Sequence, residues 1–188
     1  GLGAKFAAGI IALSNEILIL ALIFTMIACL ILGMGLPTTA NYVVTATIAA
    51  PALINGFDVA PIAAHMFVFY FGIVADITPP VCLAAYAGAG IARANPFKSG
   101  VTAVKLAIAA FLIPYIFIYS PILVMVDVTP VNLIISLATA LIGMIGVSSA
   151  MIGYFVDHAK PWERVVLFGA GLALIDPGFI TNIIGIAA

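Results

Sequence analysis

The sequence describes an all-α membrane protein. Of its 188 residues, 65% are hydrophobic and only 7% are charged, against roughly a quarter charged in soluble domains. No charged side chain occurs between Glu16 and Asp58, from Leu106 to Val126 or from Val128 to Val156. Each run exceeds the roughly 20 apolar residues that cross a bilayer. Glycine and proline cut these stretches at a few sharp places, the mark of interrupted helices.

Composition also removes whole classes of function. A formal net charge of -1 leaves no basic stripe for nucleic acid. No Walker motif is present, which agrees with a function that hydrolyses no ATP; no enzymatic activity and no cofactor are expected. Cys29 and Cys82 lie in apolar stretches without metal-ligand or CxxC spacing and read as packing residues. The chain starts at Gly1 with no visible signal peptide, and we read it as an excerpt of a longer protein.

In chain order, residues 1–16 read as a connecting segment. The apolar stretch 17–54 is too long for one crossing and is cut by Gly33-Met34-Gly35-Leu36-Pro37-Thr38-Thr39-Ala40-Asn41. Irregular backbone at membrane depth is tolerated only when protein buries it or it lines a wet cavity. The spacing therefore predicts a re-entrant helical hairpin with arms Ile17 to Met34 and Asn41 to Ile54, each roughly 20 to 27 Å long. Residues 59–92 predict a transmembrane helix broken at Asp76-Ile77-Thr78-Pro79-Pro80, because paired prolines remove backbone donors and push Thr78 out of helical geometry. A transmembrane helix follows over 98–126. The C-terminal transmembrane extension, 129–188, holds a helix expected to reach Val156 and a last stretch interrupted at Asp176-Pro177-Gly178, read as a kink or helix end.

Charge gives an orientation. Arg93, Lys98 and Lys105 form one basic cluster, and Lys160 and Arg164 beside Trp162 form another, two crossings away. Basic residues gather on the cytoplasmic side, so both clusters are expected there, with the hairpin opening toward the periplasm.

The motifs Gly33-Met34-Gly35-Leu36 and Thr78-Pro79-Pro80-Val81, in that order, resemble the second half of the large permease subunit of TRAP (tripartite ATP-independent periplasmic) transporters. The resemblance spans about Glu16 to Tyr119. It implies an elevator fold of the ion-transporter superfamily, with this chain as one inverted repeat plus extra C-terminal helices, in a bacterial inner membrane. It also implies Na+-coupled import of a small organic anion, a carboxylate, delivered by a periplasmic binding protein. Pro37 stands where the family usually has an acidic residue, and Cys82 where it has glycine. Gly-Met-Gly-Leu-Pro-Thr-Thr-Ala-Asn is similar instead to the variant in which the small subunit is fused upstream, whose usual partner is a TAXI-type binding protein.

The candidate site comprises Gly33, Gly35, Pro37, Thr38, Thr39 and Asn41 in the first break, with Asp76, Thr78, Pro79 and Pro80 in the second. Sodium must exchange its water for protein oxygens, which unwound carbonyls, hydroxyls and amides supply. Thr38, Thr39, Asn41, Asp76 and Thr78 are the candidate Na+ ligands, while the glycines allow close backbone approach and the prolines shape the break. The half-helices beginning near Asn41 and Val81 would turn free N–H groups toward a carboxylate. An ionised Asp76 at the bilayer centre costs at least ~2.5 kcal/mol, so it is functional by default unless it lies near the interface or caps a half-helix. Thr38, Thr39 and Asn41 have an alternative role as caps. His65 is read as facing a neighbouring helix or a polar crevice, and Tyr42, Tyr70 and the methionines as packing.

Three other functions fit less of the sequence. A dicarboxylate carrier of the same superfamily would work without a binding protein. An intramembrane aspartyl protease would need Asp76 and Asp176 to meet, and neither has the Gly-x-Gly-Asp setting of that chemistry. A purely structural membrane subunit would need neither break for transport.

Overall fold

A computed structural model of the chain describes residues 2–126, 128–155, 157–175 and 185. The fold is helical, and among the described residues no strand forms beyond an isolated bridge between Tyr154 and His158. Two compact units divide at Val104 and Lys105.

The first unit opens with helix α1 (Leu2–Ser14), where a connecting segment was expected. Its apolar residues give it a reason to be helical: α1 lies against α2 (Leu18–Gly33) and α4 (Ala50–Phe57). A Cβ added at Gly56 would meet the Ile11 side chain at 2.6 Å, so α1 and α4 are in close contact. The second arm is two helices, α3 (Thr38–Ile48) and α4, bent at Ala49. Pro51 explains the bend, since its ring lacks an N–H and crowds the carbonyl four residues back, that of Thr47. That carbonyl lies 2.9 Å from where a Gly3 Cβ would stand, so α1 approaches through its glycine.

Helix α5 (Pro61–Val74) is the centre of this unit. It packs on α2, α3 and α4, and Phe67, Val68 and Phe71 are fully buried with Leu22 and Leu53. Proline at its first turn suits a position where no intrahelical donor is needed. Ala75–Ile77 tighten into a 3-10 turn, and Thr78 then becomes extended (φ -99, ψ 128), as the residue ahead of a proline is driven to do. The Pro79–Pro80 peptide is cis. Helix α6 (Leu83–Ala92) starts two residues later than Val81, after Cys82 in the left-handed region.

Helix α7 (Pro96–Leu106) begins two residues earlier than the expected 98, because Asn95 Oδ1 accepts the Lys98 N–H at 3.0 Å and caps it. The chain bends at Ala107 and continues as α8 (Ile108–Tyr119). The expected helix to Val126 stops at Tyr119 because Ser120 precedes Pro121, and Pro121–Val124 form a 3-10 turn.

In the second unit, α9 (Pro130–Ile152) and α10 (Pro161–Ile175) form a close pair. Helix α9 ends short of the expected Val156 because Gly153 adopts φ +81 and its N–H returns to the Ser149 carbonyl at 2.8 Å. Arg164 Nε and Nη2 donate to the Ala150 and Met151 carbonyls at 2.7 and 3.0 Å, answering the exposed end of α9. By length and composition, Pro96–Tyr119 and Pro130–Ile152 are each able to cross a bilayer. Asp127, Val156 and the Asp176-Pro177-Gly178 interruption lie outside the described residues.

Candidate functional site

Both sequence breaks are breaks in the structure, and they adjoin. Helix α2 ends at Gly33, Met34 leaves helical geometry, and Gly35 turns the chain at φ +73. Pro37 takes the N-cap position of α3, with no side chain capping it. The half-helix therefore starts at Thr38, three residues before the expected Asn41, and the Asn41 N–H is already spent on the Pro37 carbonyl at 2.9 Å. Capping by Thr38, Thr39 or Asn41 side chains does not occur, which leaves the first N–H groups of α3 without side-chain acceptors.

The end of α2 lies against the second break. A Cβ added at Gly33 would stand 2.9 Å from the Ala75 Cβ, 2.9 Å from the Gly72 carbonyl oxygen and 2.8 Å from Asn41 Nδ2. No side chain larger than hydrogen fits between these three groups.

Asn41 occupies that junction. It is 1% exposed, and its Nδ2 donates to the Gly72 carbonyl at 2.6 Å. The last carbonyls of a helix lack intrahelical partners, and the break answers them with side chains. Gly72 takes the Asn41 amide, Val74 takes the Thr78 hydroxyl at 2.7 Å, and Ile77 takes the Cys82 thiol at 2.9 Å. Asn41 Oδ1 is buried with no hydrogen-bond partner. Leaving a buried acceptor unpaired costs roughly 1–3 kcal/mol, so such a group in a folded protein asks for a reason.

The remaining candidates are distributed unevenly. Gly35, Pro37, Thr38 and Thr39 are exposed, as is Pro80; Asp76, Thr78 and Pro79 are half-buried. Of the first-break side chains, it is Asn41 that reaches across to the second-break helix and bonds to it. Among the described residues, no three His, Cys, Asp or Glu side chains cluster to hold a metal ion. His65 faces α3, where Tyr42 OH lies 3.0 Å from its Nδ1, and Tyr42 also meets the Phe69 ring edge-on.

Gly72 and Ala75 belong to this junction and were not among the sequence candidates. A glycine inside an otherwise bulky apolar helix, four residues ahead of Asp76, was the available signal.

The family model described as tripartite ATP-independent periplasmic transporter, DctM component, matches residues 1–132. The chain belongs to this family. DctM components are membrane permeases of TRAP transporters, a transporter rather than an enzyme family, and they work with a periplasmic binding protein and a small subunit. Both breaks and the Asn41 junction lie inside the DctM match. A second model, a domain of unknown function (DUF3394), matches residues 133–186 and so covers most of α9 and all of α10. No curated protein and no solved structure matched the chain.

Proposed function

We propose that this chain is the permease part of a Na+-coupled secondary transporter that imports a small organic anion, a carboxylate, handed over by a periplasmic binding protein. The observation that carries the reading is the contact of the two helix breaks, Gly33 against Ala75 and Asn41 against Gly72. Interrupted helices meeting inside a membrane protein bring unwound carbonyls, hydroxyls and half-helix N-termini to one place. Na+ is held on the oxygens of the two breaks, with Thr38, Thr39, Asp76 and Thr78 as candidate side-chain ligands. The free N–H groups at the start of α3 attract the carboxylate through their positive dipole end.

The arms support a re-entrant hairpin: α2 runs straight for 16 residues, and the second arm turns at Ala49 after the 11 residues of α3, straight runs of roughly 24 and 16 Å at 1.5 Å per residue. With the broken helix α5–α6, this is one repeat of an elevator-type fold in a multi-pass protein of a bacterial inner membrane. The Gly-Met-Gly-Leu-Pro-Thr-Thr-Ala-Asn sequence and the segment beyond residue 132 support the type with the small subunit fused upstream, served by a TAXI-type binding protein.

The test is uptake of radiolabelled short-chain mono- and dicarboxylates into proteoliposomes holding the complete permease. Its binding protein is supplied outside, and a NaCl gradient is compared with a choline chloride gradient. Uptake that needs both Na+ and the binding protein, and that Thr78→Ala lowers about 10-fold or more, is the expected result. Equal uptake without Na+ overturns the coupling. Equal uptake without the binding protein favours an autonomous carrier.

A further inference from the structure

We infer that Asn41 is a positioning residue: its carboxamide pins the first helix break to the last turn of α5 and thereby sets the spacing of the oxygens that hold the coupling ion. The inference rests on the Na+-coupled reading above and assigns Asn41 a task other than ion ligation.

The geometry has three parts. The Asn41 amide donates to the Gly72 carbonyl at 2.6 Å across 31 residues of sequence, so it joins two separate helices. The carboxamide lies flat over the place where a Gly72 side chain would be, with Oδ1, Nδ2 and Cγ at 2.9, 3.1 and 3.2 Å from a Cβ built there. Gly33 closes on it as well, Nδ2 being 2.8 Å from a Gly33 Cβ. Two glycines on two helices thus form a slot that one planar amide fills. Oδ1, pressed toward Gly72, is shut from solvent, so the group is suited to bear on its neighbours rather than on a mobile ion.

The break oxygens are fixed only as firmly as the two breaks are fixed to each other. Thr78 is held within its own segment, through its hydroxyl on Val74, and Cys82 on Ile77. Neither bond crosses to α2 or α3, whereas that of Asn41 does. Loss of the amide leaves each break intact and frees their mutual distance, and groups that orient ion ligands cost about 10- to 100-fold in ion affinity when removed.

The test uses the complete detergent-purified permease, with Na+ itself as the probe. Its melting temperature is followed while NaCl replaces choline chloride at constant ionic strength. The expected results are a Na+-dependent rise for the unaltered protein and a NaCl midpoint shifted upward about 10-fold or more by Asn41→Ala. Gly72→Ala gives the same shift, because its methyl expels the amide without deleting it. The double variant Asn41→Ala/Gly72→Ala regains melting temperature in choline, since the methyl fills part of the void, yet keeps the shifted midpoint and is no worse than either single change. Should Asn41→Ala fail to accumulate, Gly72→Ala carries the comparison alone. Equal melting of the unaltered protein in both salts overturns the Na+ reading and this inference with it. A Na+-stabilised protein whose single variants melt lower but keep their NaCl midpoint overturns the inference alone, as do single effects that multiply in the double variant.

Discussion

Glycine does different work at the two helix breaks and between α9 and α10. Around the breaks of the first unit, Gly33 and Gly72 leave room for a polar side chain, the Asn41 amide, to enter between helices. In the second unit, Gly143 and Gly171 leave room for backbone. A Cβ on Gly143 would lie 2.6 Å from the Gly171 carbonyl oxygen, and one on Gly171 would lie 2.7 Å from that of Gly143 and 2.9 Å from the Val147 nitrogen. Apolar helices gain nothing by hiding from lipid, so they associate through close van der Waals contact, for which small residues are suited. The α9–α10 pair is therefore held by close backbone contact, whereas the two breaks are joined through a side chain, the Asn41 amide on the Gly72 carbonyl.

The contrast is broken most severely by Gly171→Leu. Backbone atoms of α9 cannot yield to the new side chain, and the expected cost is about 3 kcal/mol or more, the upper end of overpacking penalties. Limited proteolysis between α9 and α10 should report the opened pair, and unchanged protection would show that the glycines are incidental. Asn41→Ala comes next. It leaves the buried Gly72 carbonyl unpaired, for a loss of roughly 1–3 kcal/mol in thermal unfolding.

Smaller changes sharpen the comparison. Tyr42→Phe removes the hydrogen bond to His65 while keeping the ring against Phe69. Its expected loss is ~0.5–1.5 kcal/mol, with uptake unchanged, and an uptake defect at preserved stability would move this pair into the transport cycle. Glu163→Ala is the mildest. Its Oε2 accepts the Lys160 N–H at 2.8 Å at the start of α10, as in half of a capping box. Loss of that cap should lower the melting of the second unit by roughly 0.5 kcal/mol and leave the breaks untouched.

The breaks were legible because they are local chemistry. Gly33, Gly35 and Pro37, like Pro79 and Pro80, interrupt a helix wherever they stand, and a membrane leaves few other reasons to do so. What those breaks touch was not legible. The Asn41–Gly72 bond joins residues 31 apart and depends on how α3 settles on α5, which no periodicity encodes. The bend at Ala49 was missed although Pro51 announces it, because an uncharged run from Val43 to Phe57 offers no polar boundary where one helix yields to the next. Helix α1 was passed over because a short apolar stretch ahead of Asn15 and Glu16 has no partner until α4 is folded beside it. Membership of the DctM family was legible from motif order, since two interruptions in sequence are rarer than either alone.

Gly35 shows how little else constrains the turn after α2. It holds φ +73, yet nothing lies within 4 Å of where its side chain would be. Space is free and only torsion is restricted, so the site discriminates between mirror images. An L-alanine introduced there should strain the turn by roughly 1 kcal/mol. A D-alanine, placed by semisynthesis, should sit at ease and steady the loop by about 0.4–1 kcal/mol through the freedom it removes from the unfolded chain.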